Sequence, residues 1–272
     1  MGFADRHSMR PPGPVLGTIL LGVATVAVGA WKAFDARGTT FALFRAALER
    51  GATAKLGCRV ERLKPRPQGG ADLRACDGST TTCDRVLIAA GPWTRPLAEQ
   101  AGADLPLTVE RHIVVTFAWD GVEPVITHAD IPGGYYFRPE GTDLCLIGPL
   151  HEEPQADPDR FDERLGEAER DELAGRLVGR VPAMERAGLH GGWASLYDVS
   201  PDWQPVIGEI APGIFVDAGT SGHGFKLAPG LGRHVAAMVL GEAAAGLDEF
   251  SPRRFEEHRT LVAGYGDARI LG

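Results

Sequence analysis

The stretch richest in possible chemistry is Val216-Asp-Ala-Gly-Thr-Ser-Gly-His-Gly-Phe-Lys-Leu-Ala-Pro229. An apolar run enters a turn built on Gly219, Gly222 and Gly224, and a helical pattern follows from Lys226 to Leu240. Glycines in such a turn let a ligand come close to the backbone. The opening of a helix presents N–H groups without helical acceptors and a partial positive charge. That end stabilises an anion, or a group that becomes negative during a reaction. Lys226 adds a full charge there and His223 a titratable one. A tight strand-to-helix turn with a solvated lysine has the same pattern, so both readings stand at this point. Two familiar motifs are excluded. Leu227 stands where a dinucleotide fingerprint opening at Gly222 needs its third glycine. His223 stands where a nucleophile elbow opening at Gly219 needs glycine.

Two other stretches carry polar and aromatic residues close together. Tyr197-Asp-Val-Ser-Pro-Asp-Trp-Gln-Pro-Val-Ile-Gly208 reads as strand, turn at Pro201-Asp202, and strand, with Trp203 packed. Gly134 to Gly148 reads as two strands and a turn, in which Tyr135 and Tyr136 either line a pocket or pack. The histidines at 112, 128, 151, 190 and 234 lack metal-ligand spacing and read as structural or exposed. Cys58, Cys76, Cys83 and Cys145 contain no C-x-x-C pair, so neither a zinc site nor a disulfide scaffold is expected.

The elements that must position these residues alternate in type. Thr39-Thr40, then Phe41, Phe44 and Leu48, read as a capped helix stopped by Gly51. Ala52 to Leu63 reads as a strand. Ala71 to Cys76, the turn Asp77-Gly78 and the run from Thr81 form a hairpin. Arg85 to Gly91 is a short apolar run ending in glycine, the look of a parallel strand buried on both faces. Ile113–Trp119, Val122–Thr127, Gly134–Phe137 and Asp143–Ile147 follow as closely spaced strands of an antiparallel sheet. Asp159 to Arg180 reads as a charged helix with Phe161, Leu165, Leu173 and Leu177 inward. Trp193–Tyr197 and Val206–Ile210 are further strands. The fold class is therefore mixed α/β, of the α+β kind.

Composition bounds the function. The chain has 272 residues, 44% hydrophobic and 24% charged, which supports a sizeable core and excludes wholesale disorder. Its net charge is −8 and no half is strongly basic, so nucleic acid is not an expected partner. A cytoplasmic protein is the default expectation. One segment disturbs it. Pro11 to Trp31 has no charged residue and reaches the roughly 17–25 residues of a membrane span. A packed or irregular leader, a membrane anchor through residues 14–31, and a signal peptide with a poor cleavage site at Val28-Gly29-Ala30 all fit it.

Four segments taken in order carry a resemblance: Leu87-Ile-Ala-Ala-Gly-Pro-Trp93, Tyr135-Tyr-Phe-Arg-Pro-Glu140, the Tyr197–Gly208 stretch, and Gly219–Pro229. Together they resemble the D-amino-acid oxidase superfamily of FAD-dependent oxidoreductases, in its sarcosine oxidase and dimethylglycine dehydrogenase branch. The resemblance implies a Rossmann-like FAD-binding part with a parallel sheet and an antiparallel-sheet part that roofs the flavin. By that likeness residues 39–106 and 190–272 form the remaining FAD-binding part, 107–189 the substrate part, and 1–38 a leader unlike the family. Ala90, Gly91 and Gly219 would lie beside the cofactor. Gly222, His223, Gly224 and Phe225 would bring backbone N–H groups to the flavin pyrimidine edge. Lys226 would bind the substrate carboxylate, Tyr136 would line the substrate pocket, and His223 would sit among the catalytic groups. The implied substrate is an amino acid or N-methyl amino acid, oxidised by hydride transfer from carbon to flavin.

The chain also departs from that pattern. It has no G-x-G-x-x-G, the family's pyrophosphate-binding turn. The resemblance then implies an N-terminally truncated form that binds FAD weakly or not at all alone. The alternative is a non-catalytic remnant, or a subunit paired with a chain that carries the dinucleotide-binding unit. Ser195 aligns where some relatives attach flavin to cysteine, so the expected FAD is non-covalent. Leu146 aligns where the same relatives place an oxygen-activating lysine, which favours a dehydrogenase.

Overall fold

The computed structural model describes residues 36–119, 127–141 and 143–261. The apolar segment at 11–31 and most of the expected strand at 122–127 lie outside them.

Helix α1 (Ala36–Glu49) buries none of its residues and leaves Phe41, Leu43 and Leu48 exposed. The strand expected from Ala52 begins only at Val60, because Gly57 turns the chain with φ +65°. β1 (Val60–Pro65), β2 (Ala71–Ala75) and β3 (Thr80–Cys83) form an antiparallel three-stranded sheet. The hairpin turn at Asp77-Gly78 is as expected. The Asp77 carboxylate accepts from the Ser79 N–H at 2.9 Å, and Gly78 supplies φ +80°.

β4 (Val86–Ile88), β10 (Val206–Ala211) and β11 (Ile214–Ala218) make a second sheet in the order β10-β11-β4. β4 and β11 pair in parallel, with Ile88 opposite Val216. Among the described residues β4 is an edge strand, and where burial on both faces is expected Leu87 is 39% exposed. A helix α2 (Thr94–Gln100) follows a short 3-10 turn at Gly91–Trp93 and packs Ala98 on this sheet's core with Val206, Val216 and Ala218.

The third sheet is antiparallel and five-stranded, in the order β6-β7-β8-β5-β9. Its strands are β5 (Thr108–Ala118), β6 (His128–Asp130), β7 (Tyr135–Glu140), β8 (Leu144–Pro149) and β9 (Gly188–Val199). Residues 191–199, which the resemblance assigns to the FAD-binding part, run in this sheet through nine of the eleven pairings of β9 with β5.

Helix α3 (Glu167–Arg180) covers one face with Leu173 and Leu177, against Ile113, Val115, Phe117, Tyr135 and Ile147. It starts eight residues later than its charge pattern predicts. Asp157 and Asp162 instead bond the N–H groups of Asp159 and Arg164, which holds that segment in turns. The helix opens where the Glu169 carboxylate accepts from the Gly166 N–H at 2.8 Å.

Strand alternation puts Glu110, His112, Tyr136, Arg138, Gly148, Ser195 and Tyr197 on the face away from α3. Helix α4 (Gly224–Leu240) opens two residues earlier than expected. Pro229 therefore lies beyond the first turn. α4 buries Val235 against Ile207 and Leu247. A short helix α5 (Arg253–Glu256) carries the buried Arg254. No helix among the described residues is long and apolar enough to cross a membrane.

Candidate active site

The site is built on the corner between β11 and α4. Gly219 has φ +62°, Ser221 +50° and Gly222 +84°, three left-handed residues in four. Buried Ser221 meets this cost by donating to the Gly219 carbonyl at 3.0 Å, while its own N–H goes to the Asp198 carbonyl at 2.9 Å. Asp198, at the end of β9, pins the corner further. Its Oδ2 accepts from the Gly219 N–H at 2.7 Å. Burial pushes the Asp198 carboxyl up even though the Gly219 N–H pulls it down. Asp217 beside it is also raised, by burial first and by the Asp198 charge second.

At the helix opening His223 is the N-cap and is 3% exposed, with its N–H on the Thr220 carbonyl at 2.8 Å. Gly224 and Phe225 are the first helical residues, so their N–H groups point out of the helix end. Gly224 is required by packing, since a Cβ there would lie 2.8 Å from Thr220 Oγ1. Lys226 has an exposed side chain, yet it runs through enough protein that desolvation lowers its pKa.

Tyr197 joins this corner to the five-stranded sheet. A Cβ on Gly222 would come within 2.5 Å of the Tyr197 ring. The same ring stacks on His112 at 4.0 Å between centroids and 17° between planes. Burial raises the pKa of both Tyr197 and Tyr136, and Tyr197 also pushes Tyr136 up. Tyr136 lies over Gly148, where a Cβ would be 2.6 Å from its hydroxyl. Tyr135, its neighbour in sequence, is buried on the other face, in the core under α3. Tyr197 thus joins Tyr136 on the strand face to Gly222 at the helix opening, from which His223, Gly224, Phe225 and Lys226 follow along the chain.

Ala90 and Gly91 sit at the end of β4, next to the end of β11 by the parallel register. A small cavity lined by Gly91, Pro92, Leu107, Gln155 and Asp198 connects that end to the pinned corner. Ser195 is exposed on β9, opposite His112. Leu146 is 2% exposed on β8. Among the described residues no cluster of acidic, histidine or cysteine side chains could hold a metal.

Local spacing gives no role to Asp198 and Tyr197, which read only as strand residues before a turn. His112, expected to be structural or exposed, is structural: it is buried against Glu110, with Nε2 and Oε2 3.0 Å apart. Each of these contacts crosses from one element to another, and no local spacing encodes it.

The arrangement has counterparts among solved structures. The fold matches L-proline dehydrogenase from P. horikoshii with a TM-score of 0.73 at 22% identity, over 82% of this chain and 60% of that one. It matches glycine oxidase from Geobacillus kaustophilus with a TM-score of 0.68 at 27% identity, over 77% and 55%. The fold class is thus that of FAD-dependent oxidases, with mixed helix and antiparallel sheet.

The chain belongs to the FAD dependent oxidoreductase family, DAO, whose model matches residues 16–238. It is 29% identical over 258 residues to the mitochondrial dimethylglycine dehydrogenase of Mus musculus, covering 86% of this chain and 29% of that protein. It is 32% identical over 198 residues to the formaldehyde-forming 4-methylaminobutanoate oxidase of Paenarthrobacter nicotinovorans, covering 67% and 24%. The chain spans less than a third of the length of these curated relatives.

Proposed function

We propose that this chain carries the flavin-edge and substrate-facing part of an oxidoreductase acting on amino acids or N-methyl amino acids. The observation that carries the reading is the contact of Tyr197 with Gly222, which sets the opening of α4 against the face of the five-stranded sheet that turns away from α3. The residues fit one end of FAD. Gly222 and Gly224 admit no side chain, a Cβ on Gly91 would meet nothing within 4 Å, and the helix opening favours negative charge.

Bound there, FAD would supply the two-electron acceptor for the hydride on the carbon next to nitrogen, and water would hydrolyse the resulting substrate imine. Backbone from Gly222 to Phe225 would hold the flavin pyrimidine edge and stabilise negative charge there. Ala90, Gly91 and Gly219 would flank the cofactor. Lys226 holds the substrate carboxylate, and its partial desolvation strengthens that pairing. Tyr136 walls the pocket, and the buried His223 shapes the helix opening.

In this reading FAD is non-covalent, since serine stands at 195. Its affinity in this chain alone is weak, because the sequence has no G-x-G-x-x-G to hold the pyrophosphate. Leu146 favours a dehydrogenase over an oxidase. The described cysteines are all free, which supports a cytoplasmic setting. A membrane anchor through residues 14–31 is the alternative, and fractionation of salt-washed membranes decides between them.

The test is an FAD titration of the full chain followed by flavin fluorescence, then dye reduction at saturating FAD with sarcosine, dimethylglycine and proline. Weak binding with turnover of at least one of them is expected. Tight stoichiometric binding overturns the affinity claim, and no dye reduction with any amine overturns the activity.

A second reading, a subunit or remnant that needs a partner chain, is favoured by the exposed apolar residues Phe41, Leu43 and Leu48 of α1 and by β4 lying at a sheet edge among the described residues. A relative's dinucleotide-binding unit supplied in trans would then restore tight FAD binding.

A further inference from the structure

His112 and Glu110 are 5% and 6% exposed, and their side chains meet at 3.0 Å. Glu110 Oε2 also accepts from the Glu153 N–H at 3.1 Å. A buried ionisable pair is an expensive way to fill space, and an apolar pair of equal volume packs as well or better. What an imidazole–carboxylate pair adds is direction, because the hydrogen bond fixes the plane of the ring. That plane is what Tyr197 stacks on. The edge of Trp203 approaches the same imidazole at 6.4 Å and 79°. Trp203 is itself locked, at φ +58° and 3% exposed, beside the buried Asp202–Arg254 pair. His112 is therefore held by a carboxylate and an indole, and it presents one flat face to Tyr197, which touches Gly222.

We propose that Glu110 and His112 form a positioning dyad that holds the Tyr197 ring against Gly222 and so sets the direction of the N–H groups opening α4. His112 acts through Tyr197, so it is a positioning residue. The proposal rests on the functional reading above only for what that helix opening does. The charged and titratable groups around the dyad are Glu153 with its partner His151, Glu169 near Glu153, Tyr197 with Tyr136 beside it, and the Asp202–Arg254 pair next to Trp203. Glu153, raised by burial, is the group most directly coupled to both members.

The test uses the full chain without flavin, observed by amide 15N–1H correlation spectra. His112→Phe keeps a ring but removes the hydrogen bond. It should shift the Gly222 and Gly224 amides by several linewidths, because they sense the Tyr197 ring current. The amides of Ile207 and Glu209, in the neighbouring sheet, should stay in place. A general loosening of the core would move those as well. His112→Gln, which restores a donor toward Glu110, should bring the Gly222 and Gly224 amides most of the way back. Unmoved Gly222 and Gly224 amides in His112→Phe overturn the proposal, and so does equal movement of Ile207 and Glu209. If His112→Phe does not fold, Glu110→Gln takes its place with the same two readings. Adding FAD to the same samples separates the ideas. Spectra blind to FAD count against the functional reading and leave the dyad standing.

Discussion

Two corners of this molecule have the same plan and opposite surroundings. Each runs from a parallel strand through a left-handed glycine into a helix. At the end of β4 the glycine is Gly91, with φ +51° and nothing within 4 Å of where its Cβ would be. At the end of β11 it is Gly219, with φ +62° and Leu107, Val206 and Ser200 all within 3.2 Å of that point. The first corner is open and short, and leads into a helix of seven residues. The second is packed from both sides and leads into one of seventeen. The same glycine signature thus serves access in one place and close packing in the other. Among the described residues, the packed corner alone has a carboxylate, Asp198, fastening its backbone.

The largest test of this contrast lies under the packed corner. Asp202 and Arg254 are paired at 2.9 Å and 1% or less exposed, and they support Trp203 and through it His112. Asp202→Ala strands a buried guanidinium and should cost about 3–5 kcal/mol in chemical denaturation. The pair also sets an acid limit. Burial pushes the Asp202 carboxyl up, but the Arg254 hydrogen bonds and charge outweigh it, and the net pKa is lowered. A carboxyl depressed in the folded state stabilises above its unfolded pKa of about 3.9 and loses that stabilisation as pH falls through the folded value. Stability lost on acidification below about pH 4 should therefore be smaller in Asp202→Asn than in the parent, measured from the same denaturation midpoints.

Gly222→Ala comes next. It combines a left-handed backbone with a 2.5 Å collision against Tyr197, so a loss of about 2–5 kcal/mol is expected, read from thermal unfolding. A loss under about 1 kcal/mol would mean that Tyr197 swings away freely, and the contrast between the corners would weaken.

Lys226→Met tests the chemistry of the packed corner rather than its stability. At saturating FAD, KM for the amino-acid substrate should rise at least about tenfold, equal to 1.4 kcal/mol, with the flavin spectrum unchanged. Unchanged KM would remove Lys226 from substrate binding.

Gly91→Ala should have the smallest effect on folding, about 1–2 kcal/mol from backbone conformation alone. It should still weaken FAD binding, since its methyl group enters the open corner.

The glycine corner was legible in sequence because glycines in positive-φ turns leave a local mark. So was the mixed fold, from the strand runs at 113–119 and 134–147 and the apolar run at 213–219. Misjudged boundaries share one cause. Apolar or charged periodicity was continued through Ala52–Arg59 and Asp159–Gly166, where side-chain-to-backbone bonds and Gly57 hold turns instead. The His112–Tyr197 stack was illegible for another reason. The two residues lie 85 positions apart and meet only through the β5–β9 register.

Pro229 has a mechanical consequence. It sits inside α4 and has no N–H to give the Phe225 carbonyl, so the ladder between the first and second turns lacks a rung. The shaft beyond it is anchored by Val235 on Ile207 and Leu247. The first turn is thus tied more to the corner, where Gly224 packs on Thr220 and His223 is buried, than to the shaft behind it. The helix is in effect two pieces joined at a missing bond, each seated on a different part of the fold.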